Sequence, residues 1–305
     1  MLRSFLQKLK FLSNIALGKN ERNLALILPS NPTWLLPNAD DKLRTKALLS
    51  RSKVAVPKTL AVFESSRDFE LLEKLLEGEE EFVIKPSQSA GGRGILIVNK
   101  DEKGFFIVKN GQAKVRASPA LLWEHIEKII EGCFCTERPR DRAFAEELLR
   151  PHPALRCLSP LGLPDIRIIV HFGTPVMAML RCATRYSKGK ANLHEGGIGL
   201  GIDLKDGKTT HGVWKDKPVC FHPDTGVPLS GKIIPDWEKI KTLAVAAATA
   251  TSLNFVGVDI TIDALRGPVV LEVNARPGLS IQIANRSGLR PLLGLTEDHE
   301  EESRR

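Results

Sequence analysis

The sequence predicts an α+β fold in which antiparallel hairpins alternate with single helices. Two stretches, residues 82–98 and 255–278, each contain two apolar strand-like runs joined by a turn rich in Gly, Ser or Pro. Residues 121–130 and 237–252 instead repeat their apolar side chains at helical spacing. Pairs of strands covered by helices are therefore the expected architecture.

The composition is that of an ordinary globular chain of 305 residues, which can bury one large core or two to three small lobes. Its net charge of +8 predicts a cationic surface suited to nucleic acid, an anionic membrane or acidic substrates. Aromatic residues make up only 6% and no RRM-like or Cys/His-finger pattern occurs, so no nucleic-acid partner is expected. The five cysteines include no Cys-x-x-Cys pair, which favours reduced thiols and a cytoplasmic location.

The chain begins with a predicted amphipathic helix over residues 2–17. Its polar face is basic, and three roles are open for residues 1–20: contact with a membrane surface, contact with a partner, or packing on the chain's own domain. The apolar stripe consists of Phe5, Leu6, Leu9, Leu12 and Ile15.

Shorter elements are predicted between this helix and residue 80. The run LALIL at residues 24–28 predicts a buried strand that stops at Pro29. Asp40 or Asp41 is expected to cap the helix that follows. The remaining predictions are a helix over residues 40–50, a strand over residues 60–63 and a charged helix over residues 66–76.

The hairpin at residues 82–98 has a loop of Ser, Gly and Arg at its tip. This loop is not a Walker A motif, because no Gly-Lys-Ser/Thr opens a helix. Its backbone N–H groups, hydroxyls and guanidinium suit a polyphosphate, with Lys85 as a point charge at the strand end, but an ordinary flexible turn has the same composition. The candidate lid residues are Ser87, Ser89, Gly91, Gly92, Arg93 and Gly94.

The strand-like run at residues 143–149 places two carboxylates side by side. Glu146 and Glu147 are adjacent, and adjacent residues of a strand face opposite ways. At most one of them is therefore expected to enter a shared site, while the other faces water.

Residues 164–180 predict two strands, with Asp165 and Arg167 on one face of the first. The polar, Gly-rich loop at residues 185–201 follows. In it His194 is a candidate base or ligand, although a lone His is more often structural. Candidate clamps for phosphates or substrate carboxylates in this region are Arg181, Arg185, Lys188 and Asn192.

The hairpin at residues 255–278 holds the most specific pattern. Asp259 lies in its first strand, while Glu272 and Asn274 project from one face of the second, with no basic residue between them. Oxygen ligands of this kind favour Mg²⁺ completed by substrate phosphates, and the alternative is an amphipathic hairpin whose acids face water. Arg276 adds a cation in the turn beyond, which suits an anionic intermediate.

Taken in order, five motifs resemble the ATP-grasp superfamily. Within it the chain is most similar to the alpha-L-glutamate ligase-like group related to RimK-type glutamate ligases, over residues 37–289. Each motif alone is common, and their order is what is specific. The motifs are Lys85 with its Gly-rich hairpin, Asp165-Ile166-Arg167, residues 192–197 (NLHEGG), residues 257–260 (GVDI) and residues 272–278 (EVNARPG).

The resemblance implies an ATP-grasp fold, in which two α+β lobes clamp ATP, preceded here by a short amino-terminal segment. It divides the chain into an amino-terminal segment (1–80), a lid lobe (81–150), a catalytic lobe (151–292) and a tail expected to be disordered (293–305). Compared with RimK-type enzymes, only about eighty residues precede the lid, and Arg276 replaces a small residue.

The resemblance also implies a role for each motif residue. ATP is assigned to the lid residues named above together with Lys85, Asp165 and a hinge of Glu146, Glu147 and Leu148. Mg²⁺, as two ions and with Mn²⁺ able to substitute, is assigned to Asp259, Glu272 and Asn274. Catalytic roles are assigned to Arg167, Arg181, Asn192 and Arg276.

The implied chemistry is ATP-dependent phosphorylation of a carboxylate, followed by attack of an amine to form an amide. Glutamate is the favoured amino acid, with a peptide or small molecule as acceptor, and a homo-oligomer is compatible with the resemblance. The alternative is a non-catalytic ATP-binding module that acts with a membrane or protein partner.

Overall fold

A computed structural model describes residues 15–89, 91–109, 113–135 and 139–295. Within these ranges the strands form two antiparallel sheets, which confirms the α+β prediction. The strands are β1 (Thr59–Phe63), β2 (Glu81–Pro86), β3 (Leu96–Asp101), β4 (Gly104–Lys109), β5 (Ala113–Arg116), β6 (Ala143–Glu147), β7 (Asp165–His171), β8 (Thr174–Cys182), β9 (Ile198–Ile202), β10 (Thr209–Trp214), β11 (Lys217–Val219), β12 (Phe255–Asp263) and β13 (Gly267–Asn274). The first sheet has the order β1-β6-β2-β3-β4-β5, and the second has the order β11-β10-β9-β8-β7-β12-β13.

Besides short 3₁₀ turns, the helices described below accompany the sheets. The first, α1, spans residues 19–30 and consists of the turns Lys19–Glu21 and Leu28–Ser30 around a π-helical stretch, Arg22–Ile27. The others are α2 (Pro37–Asp40), α3 (Lys42–Arg51), α4 (Phe69–Gly78), α5 (Pro119–Ile130), α6 (Trp237–Thr251) and α7 (Ile281–Asn285). None of the helices in these ranges is long and apolar enough to cross a membrane.

The first sheet buries one face beneath α4 and α5. Leu72 of α4 and Ile126 of α5 are completely buried against Phe82 of β2. The predicted helices at residues 66–76 and 121–130 and the predicted β2–β3 hairpin are therefore confirmed.

The second sheet is covered by α6 on one face, where Ala244 and Ala247 are fully buried. On its other face, one half is covered by α1 and α7, through an apolar cluster that includes Leu26, Phe255 and Ile281. The remaining half stays open and faces the first sheet across a cleft. This division of one sheet face decides where a ligand can bind.

The predicted strand at residues 24–28 is wrong, because this run lies in α1. Leu26 and Ile27 are buried, whereas Leu24 and Leu28 are 69% and 67% exposed. Exposed residues four apart with buried residues between them follow a helical period and not the alternation of a strand. The predicted helix over residues 2–17 lies outside the described residues except for its last three positions.

The segment before residue 80 is part of the body of the molecule. β1 pairs with β6 and so belongs to the first sheet, together with the lid strands. α3 begins, as expected, after Asp41, whose carboxylate accepts hydrogen bonds from the N–H groups of Leu43 and Arg44.

Asn31 fastens the end of α1 to β12. Its Nδ2 donates to the Phe255 carbonyl at 2.7 Å, and its Oδ1 accepts from the N–H groups of Asn254 and Phe255, each at 3.0 Å. The side chain is only 2% exposed, so water cannot replace these bonds. The amino-terminal segment is thereby fixed to the strand that carries Asp259.

We expect Asn31→Ala to lower the free energy of unfolding by about 1–3 kcal/mol, because it leaves buried backbone groups of β12 without partners. Urea unfolding of the variant and the wild type measures the difference. Asn20→Ala, at an exposed position of α1, is the control and should leave the unfolding midpoint unchanged. An equal effect of the two variants would contradict the role of Asn31.

Candidate active site

The cleft between the two sheets has a volume of about 1410 Å³. Strand register places its floor: Asp259 of β12 lies opposite Arg167 of β7 on one side and opposite Glu272 of β13 on the other. On β7 and β8, Asp165 lies opposite Arg181. The antiparallel pairing of four neighbouring strands thus brings these charged side chains to one open surface.

Asp259 is the centre of this charged floor. Its Oδ1 accepts from Arg167 Nε at 2.7 Å, and its Oδ2 accepts from Arg167 Nη2 at 2.6 Å and Arg181 Nη2 at 2.7 Å. Asn274 Nδ2 also donates to Oδ2, at 3.2 Å. The expectation that no basic residue enters the acidic cluster is therefore wrong, because the neighbouring strands β7 and β8 supply two arginines that the hairpin itself lacks.

Asp165 completes the cluster from β7, where its Oδ1 accepts from Arg181 Nε at 2.5 Å. Burial raises the pKa of Asp165 to about 6, since Arg181 only partly opposes it and the nearby Asp259 charge adds to the rise. Burial acts on Asp259 in the same direction, but Arg167 and Arg181 outweigh it and lower the pKa of that carboxyl below its usual value. Asp259 is therefore the permanently ionised partner of the two arginines.

Glu272 is the unpaired acid of the cleft. Of the carboxylates that line the cleft within the described ranges, it alone has no hydrogen-bond or ion-pair partner. Those ranges hold no group of three His, Cys, Asp or Glu side chains placed to bind a metal, so a cation site here depends on the Asn274 amide as well. Asp259, Glu272 and Asn274 offer the oxygen ligands that Mg²⁺ prefers. Asp259 would then bind the ion and its two arginines at the same time.

The opposite wall of the cleft, on the first sheet, is built around Glu146. This carboxylate is 4% exposed and forms ion pairs with Lys85 of β2 and with Lys46 of α3. Burial would raise the pKa of Glu146, but the two lysines outweigh it and lower it. Two ammonium groups thus face the cleft from the lid side, held in place by one buried acid.

The loop after β2 divides into residues that face the cleft and residues that support it. Ser89, Gly91 and Gly92 line the cleft. Ser87 does not, because it is completely buried and its hydroxyl donates to Asp41 Oδ1 at 2.5 Å. Arg93 is exposed and also lies outside the cleft lining.

Gly94 is a packing residue and not part of the lining. It has φ +75°, and a Cβ there would stand 2.8 Å from the Phe134 ring. Its carbonyl lies 2.9 Å from His125 Nε2. The backbone conformation and the close ring together require glycine at this position.

The hinge residues have different environments. Glu146 and Glu147 both line the cleft, although at most one of them was expected to enter it, and Glu147 accepts from the N–H of Lys58 and from Arg266. Leu148 follows β6 directly and lines the cleft, and its backbone N–H and C=O make no hydrogen bond to the described residues. A free backbone donor and acceptor at this place suit the edge of a purine ring.

The loop after β8 forms the outer rim of the cleft. Asn192 lines it, but its Oδ1 accepts from the N–H of His194 at 3.1 Å and so also shapes the loop. Lys190 pairs with Glu195 at 2.6 Å, whereas Lys188 reaches the cleft without an ion pair to a described residue. His194 is exposed at the rim.

Reasoning from sequence missed the role of Lys46, which lines the cleft, and that of Asp40, which lies outside the lining. Lys46 is 8% exposed, and burial lowers its pKa although Glu146 opposes this. Asp40 pairs with Arg276 across the edge of the cleft, Nη1 to Oδ1 at 2.8 Å. The signal for Lys46 was present in the sequence, since a lysine stands between Thr45 and Leu49 on the apolar face of a capped helix.

Comparison with known proteins identifies the family to which the chain belongs. The model of the family described as sugar-transfer associated ATP-grasp matches residues 21–298, which is most of the chain. The chain belongs to this family. The expected resemblance to the ATP-grasp superfamily is thereby confirmed.

Two named relatives are ligases. A probable alpha-L-glutamate ligase of Pseudoalteromonas translucida is 26% identical over 259 residues, which are 85% of this chain and 63% of that protein. The ribosomal protein bS6–L-glutamate ligase of Salmonella newport is 24% identical over 251 residues, or 82% and 60%. The chain thus spans less than two thirds of the length of these relatives.

A solved structure confirms the fold. The crystal structure of D-cycloserine synthetase DcsG superimposes with a TM-score of 0.51, at 14% sequence identity, over 89% of this chain and 72% of that one. At this identity the similarity is one of fold. The ATP-grasp fold predicted from the motifs is therefore observed.

The two acids of the β12–β13 hairpin should differ in their effect on stability. We expect Asp259→Asn to lower the free energy of unfolding by about 3 kcal/mol or more without metal, because it removes the acidic partner of Arg167 and one of the two acids that hold Arg181. Glu272→Gln should change it little, since Glu272 has no partner to lose. Denaturant unfolding in EDTA compares the two, and equal losses would contradict the geometry of the cluster.

Proposed function

We propose that the protein is an ATP- and Mg²⁺-dependent carboxylate–amine ligase, which forms an amide through an acyl phosphate. The observation that carries this proposal is the unpaired Glu272 carboxylate among the guanidinium groups of Arg167, Arg181 and Arg276 in one cleft. A carboxylate without a partner can bind a metal cation. Fixed guanidinium groups beside it can stabilise a phosphoryl group during its transfer.

The first half-reaction needs groups that hold the nucleotide and groups that stabilise the transferred phosphoryl. Lys85 and Lys46 supply charge for the phosphates from the first sheet, and Leu148 offers its backbone to the base. Arg167 uses Nε and Nη2 for Asp259, which leaves Nη1 for the phosphoryl group moving from ATP to a substrate carboxylate oxygen. Mg²⁺, held by Asp259, Glu272 and Asn274, would neutralise phosphate charge.

The second half-reaction requires no protein nucleophile. The amine attacks the acyl carbon, the bond from that carbon to the phosphate oxygen breaks, and inorganic phosphate leaves. Arg181 is fixed by Asp165 and Asp259, so its charge is in place before the tetrahedral intermediate forms. Burial alone would lower the pKa of Arg181, but the two acids raise it above its ordinary value, so it acts as a permanent cation.

The rim of the cleft and the names of the relatives support an acidic substrate. Lys188 and Arg156 add positive charge to the lining, which favours an acidic substrate. Relatives are named as L-glutamate ligases, so glutamate is the favoured amino acid. The acceptors to be tested are glutamyl peptides and amino sugars. Amino sugars are included because the family is described as sugar-transfer associated.

We expect ADP release that depends on Mg²⁺ and is stimulated by one amino acid from such a panel, in the wild type but not in Glu272→Gln. The substitution keeps the shape of the side chain and removes the charge that a cation needs. Glu80→Gln, at an exposed position before β2, is the matched control and should release ADP at the wild-type rate.

Two outcomes would contradict the proposal in different ways. Turnover retained in Glu272→Gln would mean that the cation binds elsewhere. ATP binding without release for every substrate would favour the alternative of a non-catalytic nucleotide-binding module that acts with a partner.

A further inference from the structure

We propose that Asp40 is a positioning residue, which fixes Arg276 at the edge of the cleft for the transferred phosphoryl group. This inference rests on the ligase function proposed above. Asp40 is the last residue of α2, in the amino-terminal segment, and Arg276 lies in the turn after β13. The pair therefore joins two parts of the chain 236 residues apart.

The pair with Asp40 uses only one of the three guanidinium nitrogens of Arg276. A single nitrogen, Nη1, serves both oxygens of Asp40, at 2.8 Å and 3.1 Å. Nε and Nη2 make no hydrogen bond to any residue in the described part of the chain. Because Arg276 lines the cleft, these two nitrogens remain available to an anion inside it.

A second arginine, Arg22, lies against the turn that carries Arg276. Arg22 of α1 is 6% exposed and donates from Nη1 to the Pro277 carbonyl at 2.7 Å. Its pKa is lowered by burial and also by repulsion from Arg276. Two like charges on one turn push the exposed guanidinium outwards, and the Asp40 carboxylate opposes that displacement.

Asp40 itself stands on a fixed backbone. The next residue, Asp41, caps α3, and its carboxylate also accepts from Ser87 Oγ and from Arg142 Nη2. The N–H of Lys42 donates to the Ser87 carbonyl at 3.0 Å. The start of α3 is thus anchored to the base of the lid loop, so that Asp40 links the lid to the turn of Arg276.

The pair is half exposed, with side chains 48% and 46% accessible, so it should add little to stability. Its effect should appear in the rate, because misplacing a charge by about 1 Å at a reacting group can cost about 100-fold. A rate effect without a stability effect is the signature that separates positioning from folding.

We expect Asp40→Asn to lower kcat by about tenfold or more with the KM for ATP unchanged, and Asp40→Glu to recover part of the loss. The thermal midpoint should stay at the wild-type value. Asp101→Asn is the matched control, since Asp101 forms an exposed pair with Arg116 at 2.6 Å outside the cleft lining, and it should keep full activity.

A double-mutant cycle with Arg276→Gln tests the coupling. If Asp40 acts through Arg276, adding Asp40→Asn to Arg276→Gln should cost nothing further. The same loss in both backgrounds, or no loss in Asp40→Asn, would overturn the inference while wild-type turnover leaves the ligase function standing.

A second readout does not depend on turnover. Phenylglyoxal modifies free guanidinium groups, and mass spectrometry of the peptide that contains Arg276 follows its rate. We expect faster modification of Arg276 in Asp40→Asn than in Asp101→Asn. If no wild-type substrate is found, the proposed function fails, and equal modification rates would then overturn the pairing as well.

Discussion

The carboxylate of Asp259 is the interaction on which the candidate site depends. It accepts hydrogen bonds from Arg167 on β7 and from Arg181 on β8, the next two strands of the sheet after β12. The register of each strand fixes the position of its arginine. A buried acid with two partly buried cations is stable only as a complete set, because the loss of one member leaves uncompensated charge. The guanidinium groups that face the cleft are therefore held before any ligand arrives.

The amino-terminal segment decides which half of the second sheet remains open. α1 and α7 cover the end of the sheet that carries Phe255, and Asn31 and Arg22 fasten α1 to β12 and to the turn after β13. Lys46 of α3 forms an ion pair with Glu146 of the first sheet. A short segment before the lid thus helps to cover half of one face of the second sheet and supplies Lys42 and Lys46 to the cleft lining.

The hairpins and their acidic residues were predictable from sequence because the period of a strand fixes which residues share a face. Asp259, Glu272 and Asn274 meet as that rule requires, although Leu271 forms a bulge between the paired positions. The arginine partners of Asp259 were not predictable as partners, since β7 and β12 lie about ninety residues apart and only the order of the sheet makes them neighbours. The same limit applies to Asp40 and Arg276.

The misread strand at residues 24–28 has a different cause. Five consecutive apolar residues carry no periodicity of their own, and the packing of Leu26 and Ile27 on the second sheet selects the helix. Lys46 lies on the apolar face of α3, but its role was missed because its partner Glu146 is 100 residues away in the chain. Local patterns therefore gave the elements and the acidic motif, whereas tertiary packing determined the charge pairing of the site.

Trapping the acyl phosphate with hydroxylamine shows whether the protein activates a carboxylate. Hydroxylamine replaces the unknown amine, so only the carboxylate needs to be found, and the product is a hydroxamate, which forms a coloured complex with added iron(III). We expect hydroxamate that requires ATP and Mg²⁺ in the wild type and is absent in Glu272→Gln. Measurable ATP binding with no hydroxamate from any carboxylate would contradict it.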